Sequence, residues 1–387
     1  MENLYIVILA FISAVILGRI IIPNVLIISM RKRLFDVPDE RKVHKRPVPR
    51  LGGVTFFPVI LFSLCVFTAL RLVLGIGPQE REAETLISEF LFLMGGLTLL
   101  YIIGIGDDLV GVRYRRKFLV QIISAAMFPL GGLYINSFYG LFGIYLIPEA
   151  VGIPLTMLLV VFITNAINLI DGIDGLASGL SMVALLVFGV LFVHFQMWSY
   201  AMLAFVTVGV IIPFFSYNVF GNADMGRKIF MGDTGSLTLG FILSFFVIKY
   251  SMYEPEMLLR VKSSPVLVSF SVLMVPCLDV VRVVLRRARN RRPLFMPDKT
   301  HIHHKFLEMG FSPRKAMVTI QLMSACFCAF TITAIQYMNN TLVFVIDVVA
   351  WTLLHLWFNQ VIKKRRMNDC LKDKNRKRES SQTPNLH

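Results

Sequence analysis

The chain has 387 residues, 56% of them hydrophobic and only 16% charged, with a formal net charge of +15 at pH 7. A soluble globular chain carries roughly 25% charged residues, so the composition excludes an ordinary soluble domain and points to a polytopic membrane protein. The five cysteines, at 65, 277, 326, 328 and 370, form neither a CxxC pair nor a disulfide framework, and they read as core filling.

In chain order, apolar runs long enough for the ~20 residues of a bilayer span lie near 4–30, 51–76, 86–105, 117–133, 153–169, 177–195, 198–219, 236–252, 264–285, 317–337 and 342–362. The first is not a cleavable signal, because MENLY has no basic residue and the run is too long and lacks a small-residue cleavage site. With the N-terminus outside, alternate loops put 32 of the 39 Lys and Arg on the inner side, in 31–50, 106–117, 220–235, 286–316 and 363–378. That is the positive-inside rule. The basic charge is a topology signal first and an attraction to anionic headgroups second; nucleic acid is not needed to explain it. The predicted architecture is all-α and polytopic, with about eleven transmembrane helices and with the C-terminus and the functional loops cytoplasmic. One membrane domain covers 1–362, and the polar, basic segment 363–387 has the composition of a disordered tail.

The outer loops are short and chemically plain, whereas the inner ones hold nearly all the unusual residues. LFDVPDERKVHKRPVPRLGG (34–53) is rich in proline and basic residues, much of it suited to topology and interface anchoring. GIGDDLVGVRYRRK (104–117) sets Asp107 and Asp108 directly after an apolar run. Adjacent carboxylates repel unless a cation intervenes, so the pair reads as a divalent-metal or general-base site, with Lys117 a phosphate contact; a solvated turn is the plainer alternative. In TNAINLIDGIDGLASG (164–179), Asn165, Asn168 and Asp171 are three apart and share one helix face. Asp174 follows among glycines, which allow a turn and a close approach to a ligand; a capped, solvated helix end is the alternative.

KIFMGDTGSL (228–237) places Asp233 in a small-residue turn behind Phe230 and Met231. Such a turn suits an oxygen-ligated Mg²⁺ and equally an N-cap for the next helix. RRARNRRPLFMPDKTHIHHKFLEMGFSPRK (286–315) clusters His301, His303 and His304 among cations. The spacing matches no usual zinc site, and the surrounding charge favours a polyanionic ligand. Asp279 and Arg282, three apart on one helix, read as a mutual ion pair, and the lone His194 and His355 carry no functional weight.

Acids that hold Mg²⁺, flanked by Lys and Arg, would grip a phosphate, and phosphoryl transfer depends mostly on positioning and charge neutralisation. The membrane setting makes one substrate a lipid. The residues alone therefore predict an enzyme that moves a phospho-group from a soluble donor to a lipid. A transporter is the rival reading, but it would carry ionisable groups near mid-span, and here they sit at span ends and in loops.

The stretches DDLVGVRYRRK, NAINLIDGIDGLASG, FMGDTGSL and DKTHIHH, in this order and preceded by DxPxxRKxHKxPxPRxGG over 36–53, resemble the polyprenyl-phosphate N-acetylhexosamine-1-phosphate transferases. The resemblance implies transfer of a sugar-1-phosphate from a UDP-N-acetylhexosamine to a polyprenyl phosphate, with release of UMP and with Mg²⁺, or alternatively Mn²⁺, as cofactor. It implies Asp233, Asn168 and Asp108 as the metal set. Asp107 and Asp108 would form the catalytic pair, with Asp171 in the same polar network and Lys117 on the pyrophosphate. Asp174 and Phe230 would meet the uracil, Asn165 would join the substrate contacts, and His301, His303 and His304 would line the donor side. In-line attack by the lipid phosphate and a two-step route through an aspartyl-phosphate both remain open. Family members place an Asn closer to the GDTGS aspartate than Asn218 stands here, which puts that contact in doubt.

THIHH followed by KFLEMG resembles the branch that uses UDP-N-acetylglucosamine to start O-antigen (a lipopolysaccharide component), enterobacterial common antigen or teichoic acid linkage units. Phospho-MurNAc-pentapeptide transfer in peptidoglycan synthesis is the alternative. The expected location is a bacterial inner membrane, multi-pass, and a homodimer is one assembly open to the chain.

Overall fold

The computed structural model describes residues 1–35, 48–77, 80–252, 264–291 and 300–382. Its helices are α1 (Glu2–Arg31), α2 (Phe56–Val73, entered through a 3₁₀ turn at Gly52–Thr55), α3 (Glu80–Val110), α4 (Tyr114–Leu130), α5 (Glu149–Ile170), α6 (Leu176–His194), α7 (Trp198–Val219) and α8 (Gly232–Ser251). They are followed by α9 (Pro265–Val272), α10 (Met274–Arg289), α11 (Ile302–Glu308), α12 (Pro313–Ala334) and α13 (Asn340–Gln382). One antiparallel hairpin, β1 (Ser137–Leu141) and β2 (Ile144–Leu146), joins α4 to α5. Within hydrocarbon every backbone N–H and C=O must find its partner inside the segment, and this is why each apolar run has become a helix.

Among the described residues nine helices are long and apolar enough to cross a bilayer, and the bent pair α9–α10 makes a tenth. The difference from eleven lies in the run at 117–133. It forms α4, whose 17 residues span ~25 Å at 1.5 Å per residue, short of the ~30 Å hydrocarbon thickness. The run at 264–285 is broken by 74° between α9 and α10. Pro276 in the first turn of α10 has no N–H to return to Val272, so the helix cannot continue through the junction.

Helix α8 is the axis of the bundle. Every residue of its membrane window is buried, and α3, α5, α6 and α9 pack around it. Phe241, Phe245 and Phe246 of α8 interlock with Phe128, Phe90, Phe188 and Phe192 at ring separations of 4.6–5.9 Å. Two in-span cations, Lys249 and Arg71, find partners at the bundle end farther from the GDTGS turn. Lys249 lies 3.0 Å from Glu89 and over the Tyr200 ring, while Arg71 donates to Asn3 and Ser199. At the C-terminus, α13 runs unbroken to Gln382. Segment 363–382 is thus helical where its composition predicts disorder: the span supplies the nucleus, and Lys, Arg, Met and Leu propagate it at little cost.

Candidate active site

The C-terminus of α3 meets the N-terminus of α8, and this antiparallel contact builds the site. Asp108 accepts from the Asp233 N–H (2.7 Å), the Thr234 N–H (3.0 Å) and the Thr234 hydroxyl (2.6 Å). Its carboxylate thus caps α8, satisfying orphan donors and the positive helix end. Gly232 makes this possible. It has φ +71°, and a Cβ there would come within 2.6 Å of both Asp108 oxygens and would overlap the Arg50 carbonyl.

The sequence left Asp233 open between a cap and a metal ligand. With Asp108 as the cap, the Asp233 side chain is released to face its neighbours. The Lys117 ammonium, from the first turn of α4, contacts one Asp233 oxygen. The Asn168 amide N–H, from the last turn of α5, donates to the other at 3.1 Å and to the Ser236 hydroxyl at 2.8 Å. Asp107 accepts from the Val112 N–H at 2.6 Å, closing the turn into α4, and its second oxygen is 3.6 Å from Lys117.

The 48–53 stretch packs onto the same turn. Phe230 N–H donates to the Pro49 carbonyl, and Gly52 and Gly53 donate to the carbonyls of Phe230 and Met231 at 2.9 and 2.8 Å. A Cβ on Gly53 would overlap the Gly235 backbone, which has no flexible side chain to yield. Gly53→Ala is therefore expected to destabilise the fold by about 3 kcal/mol or more, read as a fall in the thermal unfolding midpoint of the purified protein.

Asp171 and Asp174 differ. Asp171 ends α5, is exposed, and has no hydrogen bond or ion pair among the described residues. Desolvation by the surrounding protein, then Asp174 and Asp108, push its pKa up to about 7 against the pull of Arg50. Water at the exposed carboxylate screens part of that rise. Asp174 accepts from Lys228 at 2.6 Å, and with Ile173, Val219, Gly221, Lys228 and Arg314 it lines a cavity of about 290 Å³.

The histidines stand on α11. Asp279, fully buried in α10, accepts from the Ile302 N–H at 3.1 Å, holds His301 Nδ1 at 2.9 Å and pairs with Arg282 at 2.6 Å. The expected Asp279–Arg282 pair is present, and the same carboxylate also caps the histidine helix. His303 is 2% exposed, and its ring lies where a Cβ on Gly172 would fall, against the Asp171 loop. Desolvation, then His304 and His301, lower its pKa to about 3, so it is a neutral imidazole at physiological pH. Its ring centroid is 4.2 Å from that of His304.

Two residues from the sequence reading face elsewhere. Asn165 forms a reciprocal amide pair with Gln121 of α4 (2.6 and 3.3 Å), a bridge between helices. Asn218 accepts from the Gly175 N–H (2.7 Å) and donates to the Ile229 carbonyl (2.8 Å), so its amide ties the glycine turn to the segment that leads into the GDTGS turn. Residues 36–47 and the DK of DKTHIHH lie outside the described residues. Sequence reasoning missed Asp279, Lys228 and Gln121 as partners of the site. Only Asp279 left a trace, as an acid on the helix that leads into the histidines.

Among the described residues no three His, Cys, Asp or Glu form a metal cage. The donor chemistry present is carboxylate and amide oxygen, with the Asp233 side chain 27% exposed. This fits Mg²⁺, which takes one or two carboxylates and completes its shell with water and substrate phosphates. The Lys117 ammonium against Asp233 shows the carboxylate already drawing a cation.

Residues 90–251 match the family described as Glycosyl transferase family 4. The chain is 32% identical over 346 residues to the probable undecaprenyl-phosphate N-acetylglucosaminyl 1-phosphate transferase of Bacillus subtilis, covering 88% of this chain and 87% of that one. It is 28% identical to the undecaprenyl-phosphate alpha-N-acetylglucosaminyl 1-phosphate transferase of Yersinia pestis, over 77% of this chain and 76% of the relative. It is 33% identical to the decaprenyl-phosphate N-acetylglucosaminephosphotransferase of Mycobacterium tuberculosis H37Rv, over 74% and 72%. Up to ten candidate spans among the described residues, and likeness of this extent, place the chain in the polyprenyl-phosphate N-acetylhexosamine-1-phosphate transferase family, within its undecaprenyl-phosphate N-acetylglucosaminyl-1-phosphate transferase branch.

Proposed function

We propose that the protein transfers N-acetylglucosamine-1-phosphate from UDP-N-acetylglucosamine to undecaprenyl phosphate, releasing UMP, at the cytoplasmic face of a bacterial inner membrane. The lipid-linked product would start a cell-surface polysaccharide. The observation that carries this reading is the meeting of Lys117, Asn168 and Asp233, with Asp171 within electrostatic reach of both Asp108 and Asp174. Asp174 and Lys228 line a cavity that supplies a concave pocket for the rest of the donor.

Asp108 accepts from three donors of α8 and so holds the Asp233 turn in place. Asp171, unpartnered among the described residues and with its pKa raised, is suited to take a proton from the lipid phosphate. Lys117 and Lys228 supply positive charge for the diphosphate. Asp233 would hold Mg²⁺, which when bound would neutralise diphosphate charge, and Asn168 would join it with its amide turned to bring the oxygen in place of the N–H that faces Asp233. His303, neutral and buried, offers a fixed hydrogen-bonding edge next to Asp171.

The test is membranes bearing the enzyme with polyprenyl phosphate, Mg²⁺ and radiolabelled UDP-GlcNAc, scored for labelled lipid and UMP. UDP-GalNAc and UDP-MurNAc-pentapeptide serve as rival donors. Labelled lipid from UDP-GlcNAc alone is expected; labelling only from the pentapeptide donor would overturn the assignment. Chelation with EDTA is expected to lower turnover at least 100-fold, and added Mg²⁺ to restore it. Full activity in EDTA would remove Mg²⁺ from the site.

A further inference from the structure

Helix α11 has only seven residues, below the ~12–15 that sustain a helix alone. Its rotation must therefore be fixed from outside, and that rotation decides where His303 points. Lys305 follows two residues later, ~200° round the helix, and so emerges from the opposite side. There it is 7% exposed, with Nζ 2.8 Å from Asn359 Oδ1 and 3.1 Å from His355 Nδ1, both on α13.

The contact continues along α13. Phe306 packs on Phe358 at 5.1 Å between ring centroids, Arg366 donates to Glu308 at 2.9 Å, and the Arg365 guanidinium crosses over Gly310. Burial alone does not call for an amine at 305, since an apolar side chain would fill the space without desolvating a charge. Desolvation, with Arg282 adding to it, lowers the Lys305 pKa to about 8. What an amine adds is direction. Two acceptors on one helix specify a single rotation of the other, as buried polar groups can do for register.

We propose that Lys305, held by His355 and Asn359 of the C-terminal helix, is a positioning residue that sets the rotation of α11 and so seats His303 against Gly172 beside Asp171. The inference rests on the reading of this site as the centre for sugar-phosphate transfer. It makes the last membrane helix part of the active-site architecture, although α13 carries none of the site residues.

The test uses the full-length enzyme with Lys305→Met, which keeps length and loses direction, and the milder Asn359→Leu. Each is expected to lower kcat about tenfold with KM for UDP-GlcNAc within about threefold, and to speed amide hydrogen exchange across 302–308. Asn359→Asp, which keeps an acceptor for the amine, is expected to retain turnover within about threefold. Wild-type kcat in both disrupting variants, a loss carried wholly in KM, or unchanged exchange across 302–308 would each overturn the proposal. If the unmodified enzyme transferred no sugar-phosphate, the functional reading would fail, and the exchange rates alone would decide the positioning claim.

Discussion

Asp233→Ala is expected to cut N-acetylglucosamine-1-phosphate transfer by about 10³-fold or more, the scale of losing a group that stabilises developing charge. The protein should still insert and unfold near the wild-type temperature. The structure separates these outcomes because α8 is capped by Asp108 and not by Asp233, so the Asp233 carboxylate can be removed without opening the helix end. Lys117 would keep Asp107 within 3.6 Å, and Asn168 would keep its bond to Ser236. Asp233→Asn should be nearly as inactive, since it preserves shape and removes charge. The labelled-lipid assay on membranes with matched protein content checks both. Turnover near wild type in either variant would remove Asp233 from the chemistry.

Asp279→Ala should fail in a different way. This carboxylate is fully buried and serves the α11 N-terminus, His301 and Arg282 together. Its loss removes the carboxylate partner of the part-buried Arg282, which keeps its bond to the Thr300 carbonyl, so the cost lies toward the lower end of the about 3–5 kcal/mol for breaking a buried pair. The expected result is a lowered thermal midpoint in detergent together with lost transfer. Asp279→Asn, which keeps acceptors for Ile302 and His301 but not the charge, should fall between the two. A thermal midpoint unchanged in Asp279→Ala would show that Arg282 finds another partner and that the capping role is dispensable.

The two predictions mark different depths of legibility. Asp233 was visible as a carboxylate in a glycine turn before a span, because turn composition is local. Asp279 was read only as the partner of Arg282, three residues on. Its link to Ile302, 23 residues away, depends on how α10 and α11 cross. Asn165 shows the same limit from the other side. It shares a helix face with Asn168, yet Gln121, 44 residues earlier, occupies its amide. A shared face gives direction but not the partner that is met there.

The all-α polytopic character, the crowding of cations and acids near span ends and the candidate stretches at 104–117, 164–179, 228–237 and 286–315 could be read from the sequence alone. Hydropathy, charge bias and turn chemistry are sums over neighbouring residues, and they need no knowledge of what packs on what. The tertiary structure alone decided which carboxylates are engaged. Asp108 and Asp233 are 125 residues apart, and only the antiparallel packing of α3 on α8 makes one the cap that frees the other. Contacts between distant segments likewise set Asn218 as a brace and put Lys305 against α13. Each of these follows from satisfying buried polar groups between distant segments, a condition imposed by the folded chain as a whole.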